Sequence, residues 1–143
     1  MIYEARSRED AESSWATDCI PSAYKEFPEF RVTSYAETYW RIRESAESHP
    51  RLEVRVQVRG VTVAVATYIF EEDMHLGNCL SIHWMYVLPE YRGKGIANQF
   101  IRLLKHLAGR LSIPYSYTRR VRNGYMVYYP KEVMRGETCS SKT

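Results

Sequence analysis

The chain has 143 residues, 45% of them hydrophobic and 26% charged, with a formal net charge of +3. That length holds one domain with a sizeable core and is too short for two ordinary ones. The composition is that of a globular protein; the charge is too small to imply nucleic acid by itself, and no apolar run approaches a membrane span or a signal-peptide core. Cys19, Cys79 and Cys139 are odd in number, widely spaced and free of any C-x-x-C or Cys/His ligand pattern. They read as reduced thiols of a cytoplasmic protein, with no metal site.

Ile2 to Arg6 reads as a short strand. Ser7 precedes Arg8-Glu9-Asp10, a weak capping signal, so a first helix is expected from Arg8 to about Cys19, stopping before Pro21. Ile20 to Val32 contains Pro21, Pro28, Tyr24, Phe27 and Phe30, and reads as a loop whose aromatics cover the core. Ser34-Tyr35-Ala36-Glu37 is a capping box that opens a helix running to about Ser48, with Tyr35, Tyr39, Ile42 and Ala46 on one face. His49-Pro50 ends it.

Leu52 to Arg59 alternates apolar and polar, the pattern of a strand with one buried face. Gly60 turns the chain into Val61 to Glu71, a strand apolar on both faces and therefore deeper in a sheet. A polar loop through Asn78 leads to a third strand, Cys79 to Leu88. Strict alternation puts Ser81, His83, Met85 and Val87 on one face and Ile82, Trp84, Tyr86 and Leu88 on the other. Next comes Pro89-Glu90-Tyr91-Arg92-Gly93-Lys94-Gly95, followed by a helix from about Gly95 to Ala108 with Gly109 as its C′ residue.

Bare backbone at Gly93 and Gly95, at a helix N-terminus beside Arg92 and Lys94, suits a phosphate. A basic turn with no ligand is the competing reading. The loop is neither a P-loop nor a complete dinucleotide fingerprint, since the required spacings are missing. Ile113 to Thr118 reads as another strand, and Asn123-Gly124 as a strong turn into Tyr125 to Tyr129, giving strand–turn–strand. A single domain is expected over residues 1–134, with 135–143 a disordered tail.

Arg92-x-x-Gly95-x-Ala97, with the preceding Met85-Tyr86-Val87-Leu88-Pro89-Glu90-Tyr91, resembles the cofactor loop and fourth strand of the GNAT superfamily of N-acetyltransferases. The resemblance implies an α+β fold with a mixed, mostly antiparallel sheet of about six to seven strands and about three helices. It also implies acetyl-CoA as cosubstrate, with no metal, and direct transfer of the acetyl group to an amine acceptor in a ternary complex. The pyrophosphate would lie on the backbone of Arg92, Gly93, Lys94, Gly95, Ile96 and Ala97, and the pantetheine arm along the backbone of Met85, Tyr86 and Val87; Asn98, in the first helical turn, reads equally as a phosphate ligand or as a solvated polar residue. Ile20 to Val32 would border the acceptor.

His83 stands in an otherwise apolar strand, nine residues before Arg92. A structural histidine and a general base are both open from the residues alone. By resemblance it occupies the place where family members carry a catalytic Glu or His. After Thr118 the chain departs from the family, which continues with another helix bearing a Tyr acid. Among the tyrosines here, Tyr117 is the candidate for protonating the thiolate. Arg119, Arg120 and Arg122 fit a nucleic acid, the cofactor's 3′-phosphate or a solvated turn. The amine acceptor is not specified by the sequence, and a homodimer is left open. A catalytically silent cofactor-binding module and a nucleic-acid-directed protein are the alternatives.

Overall fold

The computed structural model describes residues 1–121, 124–128 and 130. In chain order the elements are β1 (Ile2–Arg8), α1 (Ile20–Glu26), α2 (Tyr35–Ala46), β2 (Arg51–Val58), β3 (Val61–Asp73), β4 (Gly77–Val87), α3 (Ile96–Leu111), β5 (Tyr115–Val121) and β6 (Gly124–Tyr128). Short 3-10 turns stand at Trp15–Cys19, Pro28–Val32 and Pro89–Tyr91. The sheet is six-stranded in the order β1-β2-β3-β4-β5-β6. Every neighbouring pair is antiparallel except β4–β5, which is parallel. This is the mixed α+β architecture expected from the sequence.

β3 is central, and Thr62 to Ile69 are buried without interruption because both faces are covered. On one face α3 lays Ile96, Phe100, Leu104 and Ala108 over Val54, Val56, Ala64, Ala66 and Tyr68. Burying each large side chain there contributes about 1.5–3 kcal/mol. The buried Tyr68 hydroxyl donates to the Phe100 carbonyl at 2.8 Å, so its polar end is satisfied. On the other face Ala16, Cys19 and Ala46 cover Val65, with Trp84 and Tyr86 at the margin. Among the described residues no helix is long and apolar enough to cross a membrane.

Ser34 is the N-cap of α2, as expected: its Oγ accepts from the Glu37 amide at 3.2 Å. The β2–β3 hairpin and the β5–β6 pairing also follow expectation; Asn123 and the 135–143 tail lie outside the described residues.

The first helix is displaced. Residues 9–14 do not coil; Arg51 Nη2 takes the carbonyls of Glu12 and Ser13 at 2.6 and 3.1 Å, and Glu53 takes the Trp15 amide at 3.1 Å. Arg51 and Glu53 are both fully buried and paired at 2.6 Å, so this stretch of backbone satisfies a buried ion pair instead of its own helix. Helix begins only at Trp15, where Ser14 Oγ accepts from the Ala16 amide, and runs into α1 through Pro21. Proline lacks only an N–H that the first turn leaves unused, so Pro21 starts a helix where a stop was expected. Ile20 to Val32 is accordingly a helix and a 3-10 turn, not a loop.

α3 also overruns its expected end. Gly109 is inside the helix, and Ser112, at φ 55°, is the C-cap. Ser112 N–H donates to Gly109 O and Ile113 N–H to Ala108 O, a Schellman closure that seats Ile113 against the core.

The departure that matters most lies in β4. Thr67 pairs with Trp84 but Tyr68 pairs with Ile82, so His83 is the extra residue of a β-bulge. Strict alternation fails there. Ile82, Met85 and Val87 belong with the α3 face, while His83 reaches α2 and Trp84 and Tyr86 border α1.

Candidate active site

β4 and β5 pair only at Leu80–Tyr115 and Ser81–Ser116. Beyond them a cleft of about 900 Å³ runs between Ile82–Val87 of β4, Thr118 and Arg119 of β5, the α1 region and the loop from Tyr91 to Asn98.

At one end lies the glycine loop. Gly93 and Gly95 have φ of 77° and 82°, a left-handed backbone that side chains with a Cβ disfavour. A Cβ on either would meet no protein atom within 4 Å, so conformation, not crowding, demands glycine. Gly95 is the N-cap of the sixteen-residue α3 and no side chain caps it. The first-turn amides of Ile96, Ala97 and Asn98 therefore face the cleft end with the positive end of the helix dipole. Gly93, Gly95, Ile96, Ala97 and Asn98 all line the cleft, and Lys94 is exposed on the loop.

Arg92 also lines the cleft, and its side chain reaches α1. Its guanidinium binds both oxygens of Glu26 at the end of α1, one through Nη2 at 2.6 Å and the other through Nη1. Its Nε donates to Val87 O at 3.0 Å. Tyr86 OH donates to Glu26 Oε1 at 2.8 Å and lies 2.8 Å from Ser22 Oγ. Burial, chiefly, pushes the Tyr86 phenol up to about 12. Arg92 thus ties the loop to α1, and its charge is already matched by a carboxylate.

The exposed edge of β4 has a definite polarity. Trp84 N–H donates to Thr67 Oγ1 at 3.0 Å and Leu88 N–H to Val63 O at 2.9 Å, both on β3. Alternate residues of a strand present N–H and C=O to opposite edges. Tyr86 therefore also points its backbone at β3, and Met85 and Val87 point theirs away from it. An uncapped helix end, two left-handed glycines and this open edge, joined by one cleft, fit a cofactor that carries a pyrophosphate and an amide-bearing arm.

His83 lines the same cleft. Its Nε2 is 3.2 Å from the Ser45 carbonyl and 3.4 Å from Ser45 Oγ; in the tautomer that donates to the carbonyl, Nδ1 is the basic atom. Ser48 Oγ donates to the same carbonyl at 2.7 Å and lies 2.8 Å from His49 Nδ1. The His49 ring stands 5.1 Å from that of His83, edge-on. Burial, chiefly, holds the His83 pKa below the usual histidine value, assisted by His49 and Arg51 and opposed by the Ser45 carbonyl and Glu71.

Tyr117 is not brought to the cleft. It is packed in the core, stacked on Tyr128 at 4.6 Å and on Tyr115 at 6.5 Å. Its phenol is raised by burial first and by these neighbours second. Cys19 does line the cleft, but burial pushes its thiol up to about 12. Arg119 lines the cleft and Arg122 lies outside the described residues. Among the described residues no group of His, Cys, Asp and Glu is placed to hold a metal ion.

Sequence reasoning missed Ser22, Glu26, Ser45 and His49. Glu26 meets Arg92 across a separation of 66 residues, and Ser45 meets His83 across 38. The one available signal was Pro21, read as a helix start instead of a stop.

A family model described as the acetyltransferase (GNAT) family matches residues 14–123. No curated protein matches the chain. Among solved structures, an AAC(6′)-Iy in complex with the bisubstrate analogue CoA-S-monomethyl-acetylneamine is similar, with TM-score 0.55 and 12% identity, covering 86% of this chain and 83% of that one. An aminoglycoside 6′-N-acetyltransferase from Acinetobacter haemolyticus has TM-score 0.55 and 16% identity, covering 84% and 81%. A ribosomal-protein-alanine N-acetyltransferase from Brucella melitensis biovar Abortus 2308 has TM-score 0.54 and 16% identity, covering 92% and 86%. At these identities the likeness is one of fold.

Proposed function

This chain belongs to the GNAT family of acetyltransferases, and from that premise we propose that it is an acetyl-CoA-dependent N-acetyltransferase in which the acceptor amine attacks directly. The observation that carries the proposal is one continuous cleft. It joins an uncapped helix N-terminus to a bulged histidine whose Nε2 is held at Ser45. Neighbours whose descriptions name aminoglycosides and a ribosomal-protein alanine support an amine acceptor.

Acetyl-CoA supplies an activated acyl thioester. The amides from Gly93 to Ala97 and the first turn of α3 hold its pyrophosphate, with Lys94 adding charge and Asn98 a side-chain donor. Arg92 holds the loop against α1. The backbone of Met85 and Val87 hydrogen-bonds the arm, and one of these N–H groups polarises the acyl oxygen; such a donor contributes roughly 2.7–4 kcal/mol in acyl transfer. His83 Nδ1 takes the proton from the acceptor amine, which is nucleophilic only when neutral. General-base catalysis of this kind is worth about 10²–10⁴ in rate.

A histidine with a lowered pKa is mostly free base at neutral pH, the form a base needs. Cys19, held protonated by burial, is unsuited to carrying an acyl group, which favours direct attack over a covalent enzyme intermediate. Tyr117 in its stacked position has no access to the departing thiolate, so we assign that proton to solvent.

Release of free thiol from acetyl-CoA over a panel of amines tests the proposal. Turnover above the acceptor-free rate supports it. Binding of acetyl-CoA with no turnover on any amine would instead indicate a cofactor-binding module.

A further inference from the structure

Resting on the N-acetyltransferase reading above, we infer that the acceptor is a singly charged amine on an apolar or aromatic body, and that polycationic amines are poor substrates. The wall opposite β4 is built by α1 and the turns flanking it. Its cleft-lining side chains include Cys19, Ile20, Ala23, Phe27 and Phe30, with Glu26 the one charged member among the described residues. Phe27 stands edge-on to Tyr86 of β4 at 5.9 Å and to Phe30 at 5.8 Å, so aromatic surface meets the cleft from both sides.

Among the described residues the one carboxylate lining this cleft is Glu26, and both its oxygens are already taken by Arg92, with Tyr86 donating to one. Glu71, the carboxylate that acts electrostatically on His83, does not line the cleft and accepts from Ser81 Oγ at 2.7 Å. The β5 side is basic. Among the described residues of β5, Arg119 is the charged side chain that lines the cleft.

A polycation entering this space must give up hydration at several ammonium groups, with no carboxylate among the described lining residues left to receive them, beside an arginine that repels them. A monoamine carries one charge, surrenders that proton to His83 in the reaction, and buries its body on aromatic surface. Amine selectivity therefore comes from α1 and its turns, not from an acidic pocket.

The test compares kcat/KM for the full-length chain with acetyl-CoA and four acceptors: 2-phenylethylamine, hexylamine, spermidine and kanamycin. The two monoamines are expected to exceed the two polycations by about 100-fold, the scale that a few apolar contacts provide. Phe27→Asp should lower the 2-phenylethylamine value about tenfold and raise that of spermidine, while Phe27→Tyr should keep the wild-type order and so control for folding. Spermidine or kanamycin matching or exceeding the monoamines would overturn the inference while leaving the N-acetyltransferase reading intact. Acetyl-CoA binding by calorimetry with no thiol release on any of the four would overturn the inference, and no release over the wider amine panel would overturn the reading it rests on.

Discussion

The glycine loop and the acceptor wall meet across one cleft, yet they are built on opposite principles. The loop is local. Gly93, Gly95 and the first turn of α3 are contiguous in sequence, and their geometry follows from left-handed glycines and an uncapped helix end. The wall is assembled at long range. Glu26 must find Arg92, His83 must find Ser45, and residues 9–15 must fold around the buried Arg51–Glu53 pair before α1 can start. A binding site for an invariant cofactor can be a contiguous motif, whereas a wall that selects an acceptor is a product of packing.

The largest expected effect separates chemistry from cofactor binding. His83→Gln should lower kcat by about 10²–10⁴ with acetyl-CoA affinity unchanged, because the side chain is held by Ser45 of α2 and not by the glycine loop. Titration sharpens the same point. Since burial lowers the His83 pKa, the acidic limb of kcat/KM assigned to this group should fall below the usual histidine value, and it should disappear in His83→Gln.

Next in size is Glu53→Ala. It strands Arg51 without its partner in the interior, which should cost about 3–5 kcal/mol of stability in denaturant unfolding. Loss should be concentrated in the wall, with faster amide exchange at residues 9–26 than in α3. Burial alone would raise the Glu53 carboxyl, but hydrogen bonds from Ser14, Arg51, the Trp15 amide and Arg6 outweigh it and hold its pKa below the usual carboxylate range. With a depressed folded pKa, this stabilisation is present above the unfolded carboxylate value and is lost as pH falls through the folded one. Acid unfolding of wild type should show that loss, and Glu53→Gln should flatten it.

Gly95→Asp attacks the other region. A non-glycine residue in the left-handed region costs about 1–2 kcal/mol, and the new carboxylate faces the anion site. Acetyl-CoA affinity measured by calorimetry should fall about 100-fold or more while the fold, by circular dichroism, persists. The smallest effect is expected at the seam between the regions. Glu26→Gln weakens a partly exposed pair, so KM for acetyl-CoA should change by less than about tenfold.

The same division explains what could be read from the sequence. The N-cap at Ser34, the β2–β3 hairpin, the strand feeding the loop and α3 were legible because each is written in neighbouring residues. The first helix was misplaced because the fate of residues 9–14 is decided by Arg51, some forty positions away. The facing of His83 was misread because one extra residue at the bulge inverts the alternation of β4, and nothing in Ile82-His83-Trp84 announces it. Gly109 looked like a helix end, but the Schellman closure sits on Ser112, where Ile113 can reach the core. Tyr117 was favoured from its strand alone, and stacking on Tyr115 and Tyr128 decides its place.

The most direct measurement is CoA release by His83→Gln and wild type, side by side, at saturating acetyl-CoA with one accepted monoamine. The account predicts turnover reduced by about 100-fold or more with an unchanged dissociation constant for acetyl-CoA. Turnover by the variant equal to that of wild type would contradict it and remove His83 from the chemistry.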